Sequence, residues 1–79
     1  MERKEYIELC QRIAVLPVTS GGVPANIPPK LIVNYDGIAY YPYAFEIIFN
    51  KDGTYQDRAI LHDLKANSII HCNLERVTR

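Results

Sequence analysis

Two histidines, two cysteines, a Ser-Gly-Gly run and six tyrosines are the side chains of this sequence whose types could carry chemistry. Cys10 and Cys72 lie far apart and no C-x-x-C spacing occurs, which argues against a zinc knuckle or a disulfide framework and for two reduced, buried thiols. With the last two strands paired as argued below, His62 falls opposite His71. Two imidazoles are short of the three or four ligands of a metal site, and Asp63 and Cys72 point to the other face of the pleat. Neither cysteine sits exposed beside a histidine, so a thiol nucleophile with its base is not expected. Asp36 and Asp52 belong to turns, where Asp is favoured for local hydrogen bonding. Ser20-Gly21-Gly22 lacks the Lys-Ser/Thr end of a phosphate loop and follows no strand. No catalytic residue, metal or cofactor is therefore assigned.

The tyrosines admit another chemistry. Tyr35, Tyr40, Tyr41, Tyr43 and Tyr55 crowd two adjacent strands, and aromatic sheets can stack single-stranded bases. Lysine and arginine should then frame them, yet Lys30 and Arg58 are the only nearby cations. The whole chain balances 9 Lys+Arg against 9 Asp+Glu, without the basic excess that grips phosphates. Nucleic-acid binding is thus the alternative reading rather than the first. At 79 residues the chain makes a single domain with little room for a deep cleft, and a core of this size supplies only ~3–5 kcal/mol. No run approaches the ~20 apolar residues that span a bilayer. Met1 to Glu5 lead into an amphipathic stretch rather than a signal-peptide core, so a cytoplasmic location without membrane contact is expected.

The elements that position these residues follow from periodicity. Tyr6, Leu9, Cys10, Ile13 and Leu16 recur at three- and four-residue steps, which predicts an amphipathic helix over residues 2–16, ended by Pro17. Residues 17–29 hold four of the five prolines and a glycine pair, and read as a connector carrying the helix onto a sheet face. Strands follow at 30–34, 38–50, 54–64 and 68–77. Asn34-Tyr35-Asp36-Gly37 and Asn50-Lys51-Asp52-Gly53 share one turn signature, read at both corners as a three-residue loop closed by a left-handed glycine. Asn34 then pairs with Ile38 and Asn50 with Thr54.

That parity sends odd residues inward: Leu31, Val33, Ala39, Tyr41, Tyr43, Phe45, Ile47 and Phe49. Phe49 faces Tyr55, Phe45 faces Ala59, Tyr43 faces Leu61, and Glu46 meets Arg58 on the other side. An even loop centred between Ala66 and Asn67 pairs Leu61 with Cys72, Ala59 with Leu74, Arg58 with Glu75 and Asp57 with Arg76. The expected fold is α+β: an N-terminal helix packed on a four-stranded antiparallel meander, with a small SH3-like barrel as the alternative.

Even positions on the first three strands, and the equivalently outward Ile69 on the fourth, then form an outward face that one helix cannot cover: Ile32, Ile38, Tyr40, Ile48, Ile60, Leu64 and Ile69. Apolar patches of that kind mark interaction sites. The sequence reading assigns protein recognition or self-association to Tyr40, Ile48, Ile60, His62, Ile69 and His71, with sensitivity to mild acid because histidines titrate near neutrality. The segments G-I-A-Y-Y-P-Y-A-F-E-I-I-F, A-I-L-H-D-L-K-A-N-S-I and L-E-R-V resemble small uncharacterised proteins carried on mobile elements and prophages of anaerobic gut bacteria. The resemblance implies a soluble accessory product, and brings no activity or catalytic residue with it.

Overall fold

A computed structural model describes residues 1–63 and 65–79; the outward placement expected for Leu64 lies outside the described residues. Helix α1 runs Arg3–Ala14 and buries Tyr6, Leu9 and Ile13, the three positions the spacing places on one stripe. Glu5 in its first turn and Arg12 in its last complement the helix dipole. The helix stops three residues before Pro17. The connector then folds back on itself: the Ala25 N–H donates to the Pro17 carbonyl at 2.8 Å and the Thr19 N–H to the Val23 carbonyl at 2.8 Å. A 3₁₀ turn at Pro29–Leu31 takes up the start of the first expected strand.

Four strands follow, β1 (Val33–Tyr35), β2 (Ile38–Phe49), β3 (Tyr55–His62) and β4 (Ile69–Asn73), in the antiparallel order β1-β2-β3-β4. The helix-plus-meander expectation is borne out. The sheet curls into a half-barrel: a 3₁₀ turn at Leu74–Arg76 redirects the chain so that Thr78 bridges Asn34, with backbone bonds of 2.7 and 3.0 Å, and covers the outer edge of β1.

The two corners differ, although their sequences look alike. At the second, the Asn50 N–H donates to the Thr54 carbonyl at 2.8 Å around a three-residue loop with Gly53 at φ +88°, as expected. Asp52 accepts from both the Thr54 amide and hydroxyl, and Asn50 Nδ2 donates to that hydroxyl oxygen at 2.9 Å. At the first corner Ile38 stands where the second has Thr54, so no hydroxyl knits the longer loop. Tyr35 instead pairs directly with Ile38 across Asp36 and Gly37, both left-handed at φ +54° and +78°. That is the two-residue turn matching the twist of a hairpin.

Leu31, Val33 and Tyr41 are buried as expected, but Ala39 and Tyr40 at the start of β2 exchange faces. Val33 faces Tyr40, and Tyr40 goes into the core while Ala39 is exposed. A register shift between Pro42 and Ala44 leaves Tyr43 as the extra residue of a bulge and restores the expected parity beyond it. Phe45 faces Ala59, Glu46 faces Arg58 and Phe49 faces Tyr55 as expected, but Leu61 faces Pro42 rather than Tyr43.

The final hairpin keeps its even loop with the register moved by two residues. Leu61 faces Ile70, Ala59 faces Cys72 and Arg58 faces Asn73. The expected pairs Arg58–Glu75 and Asp57–Arg76 do not form, because the strand ends at Asn73. Arg3 binds Asp57 at 2.9 Å, and Arg76 lies over the Tyr35 ring. The core holds Tyr6, Leu9 and Ile13 from the helix against Val33, Tyr40, Ala59, Leu61, Cys72, Leu74 and Val77.

Candidate functional site

Backbone geometry singles out the second hairpin. Directly bonded pairs alternate along an antiparallel ladder, so the Asn50–Thr54 bond sets the phase. Ala44, Glu46 and Ile48 turn their N–H and C=O toward β3. Phe45, Ile47 and Phe49 turn theirs to the opposite edge. β1 reaches β2 only as far as Tyr40, so among the described residues no strand lies beside 44–49. β4 likewise leaves residues 55–57 of β3 unpaired. The end of the hairpin is thus a two-stranded arm with open edges.

Its β2 strand is mostly apolar on both faces, with Gln56 and Asp57 of β3 facing Ile48 and Ile47. Ile47 is 38% exposed, Ile48 41%, Phe49 77% and Tyr55 55%. The Phe49 and Tyr55 rings pack at 6.3 Å, and Arg3 from α1 lies over Tyr55. Only Glu46 interrupts the run Ala44–Phe49 with a charge, and its Oε1 is held on the outer face by His71 Nδ1 at 3.0 Å, with Arg58 Nε at 3.8 Å.

The residues assigned to an outward surface separate into two groups. Ile48, Ile69 and His71 are exposed and Ile60 is half-buried. Tyr40 and His62 are buried, which corrects their assignment. Tyr40 moves because the two-residue corner flips it inward. His62 does not face His71: the two-residue shift sets it against Ile69, and Ile60 against His71. Among the described residues no group of three or more His, Cys, Asp or Glu is placed to hold a metal ion.

His62 takes part in a closed polar chain. Its Nε2–H donates to Asn67 Oδ1 at 2.8 Å, and since a carbonyl oxygen only accepts, Nδ1 is left to accept from the Tyr41 hydroxyl. Burial raises the Tyr41 phenol, with Tyr43 adding to the shift, so it remains a neutral donor. The chain is satisfied at each nitrogen and positions a cross-strand pair. Beside it a groove of about 410 Å³ runs between α1, the connector and β2, lined by Cys10, Ile13, Val18, Pro24, Tyr41 and Tyr43.

Neither thiol is primed as a nucleophile. Burial pushes Cys10 up to about 11, and burial raises Cys72 as well. Cys10 is accordingly expected to react with iodoacetamide about a hundredfold more slowly at mildly alkaline pH than an unperturbed thiol. A rate matching free cysteine in the native protein would contradict that placement.

The sequence reading placed Ile47 and Phe49 inward, under the helix, whereas both are exposed: beyond Tyr6 against Phe45, α1 reaches the arm through Arg3, which binds Asp57 and lies over Tyr55. The signal that could have found the arm is the run A-F-E-I-I-F, strand-forming and free of proline, glycine and lysine. Comparison with protein-family models, with curated proteins and with solved structures gave no match.

Proposed function

We propose that this chain is a non-enzymatic protein-interaction module, acting in the cytoplasm, whose contact surface is the β2–β3 arm with Ile60, Ile69 and His71 of the adjoining outer face. One observation carries the reading: among the described residues the backbone of Phe45, Ile47 and Phe49 has no strand beside it while the neighbouring apolar side chains stand in solvent. A strand with these properties is a ready template for pairing, and natural sheets protect such edges unless they use them. No helix among the described residues is long and apolar enough to cross a membrane. The single-strand-binding alternative is the weaker one, since Tyr40 and Tyr41 of the five clustered tyrosines are buried and offer no stacking surface.

Site-specific photocrosslinking tests the reading. With p-benzoylphenylalanine at position 48 or 49 in native cells, a discrete protein adduct is expected, and none with the probe at Glu8 or Lys65. Equal labelling at all four positions, or no adduct from the arm, overturns it.

A further inference from the structure

The open edge of β2 is self-complementary, and we infer that its occupant is the same edge of a second copy of this chain, paired antiparallel about a two-fold axis centred on Ile47. This rests on the arm being an interaction surface and names what it binds.

Within residues 44–49 it is Phe45, Ile47 and Phe49 that turn N–H and C=O groups, unpaired among the described residues, to this edge, so pairs across it bond directly between odd residues. A two-fold axis at Ile47 satisfies that condition throughout: Ile47 meets Ile47 of the second copy, and Phe45 meets Phe49 in both directions. The same axis places apolar side chains opposite apolar ones on the inner face, two of the three pairs being aromatic. On the outer face Glu46 lies opposite Ile48, so like charges never meet. An axis at Glu46 would also join odd residues, Phe45 with Ile47, but it sets two carboxylates directly against each other. The neutral edge of β4 offers a poorer match: its open groups belong to Ile69, His71 and Asn73, and self-pairing there sets His71 on His71 and Ile69 on Asn73.

The register has a further consequence for the arm's tip. Asn50 and Lys51 of one copy fall opposite Ala44 and Tyr43 of the other, beside the groove that Tyr43, Ala44 and Val18 line. Each tip thus ends against the other molecule's connector, and Val18 and Tyr43, both more than half exposed, gain cover. A contact built on five paired residues per copy is small beside a standard interface, so the dimer depends on concentration, in the micromolar to millimolar range.

Sedimentation equilibrium across that range tests the inference, together with oxidation of an introduced cysteine with Cys10 and Cys72 replaced by alanine. The wild-type chain is expected to shift from one to two chain masses as concentration rises. Ile47→Lys, which sets two ammonium groups against each other on an exposed position, is expected to remain monomeric with an unchanged circular-dichroism spectrum. Ile47→Cys should form a disulfide-linked dimer under mild oxidation, and Ile48→Cys should not, because Ile48 and its symmetry mate lie one step to either side of the axis, a diagonal separation too long to bridge. A wild-type monomer at every concentration overturns self-pairing, yet leaves the interaction-module reading standing if position 49 still crosslinks to another protein. A dimer that oxidises through position 48 rather than 47 overturns the edge register.

Discussion

Tyr6→Ala is expected to leave the chain largely unfolded at room temperature. The ring is wholly buried beneath Phe45, and its hydroxyl donates at 2.9 Å to the carbonyls of both Ala44 and Ile60. Those carbonyls sit on β2 and β3 next to the bulge, so one side chain clamps the helix to the hairpin where the strand changes parity. Removing a buried aromatic costs about 3–5 kcal/mol. A domain of this length has only about 3–5 kcal/mol to lose. Tyr6→Phe separates the two contributions: it keeps the ring and is expected to cost about 1–2 kcal/mol, the net worth of the hydroxyl's hydrogen bonds. Urea denaturation of the three proteins measures both values. Equal midpoints for wild type and Tyr6→Ala would show that the helix does not hold the sheet.

Alkaline pH is expected to unfold the protein earlier than its composition suggests. Burial raises the proton affinity of Tyr6, Tyr41, Cys10 and Cys72, with Cys10 moved from 9.0 to about 11. Each group is an acid that the native state keeps neutral, so the folded pKa lies above the unfolded one. The stability they contribute is complete below the unfolded values of 9.0 for the thiols and 10.0 for the phenols. It is lost as pH rises, because the unfolded chain releases protons the native chain retains. The Cys10 part develops between the unfolded value and about 11; screened by its partial exposure it amounts to about 1–2 kcal/mol. Urea midpoints should hold steady up to about pH 9 and fall beyond it, less steeply in Cys10→Ala. A flat profile to about pH 11 would contradict the burial of these groups.

Local chemistry and periodicity were enough for much of this molecule. The stripe Tyr6, Leu9, Ile13 specified the buried face of α1, since a 3.6-residue period repeats whatever the helix packs against. The second corner was equally legible: Asn50, Asp52, Gly53 and Thr54 close their loop with their own side chains, and the pairs Phe49–Tyr55, Phe45–Ala59 and Glu46–Arg58 follow from it. The order of the meander came from the same turns.

Other decisions needed contacts distant in sequence. At Asp36-Gly37 the missing hydroxyl at Ile38 only withdraws support from the longer loop; packing completes the choice, because Val33 and Tyr40 both reach the core with the shorter turn once the bulge at Tyr43 offsets its parity. The bulge itself reverts the face of β2 in mid-strand, which no period-two pattern can encode. The end of β4 is set by Leu74 and Val77 turning into the core under the helix, and that moves His71 away from His62 and exposes it beside Glu46. Where the helix stops covering the sheet is likewise a matter of length and docking angle. The sequence contains the apolar run from Phe45 to Phe49, but only the tertiary arrangement leaves it projecting past α1 with its hydrogen-bonding edge open.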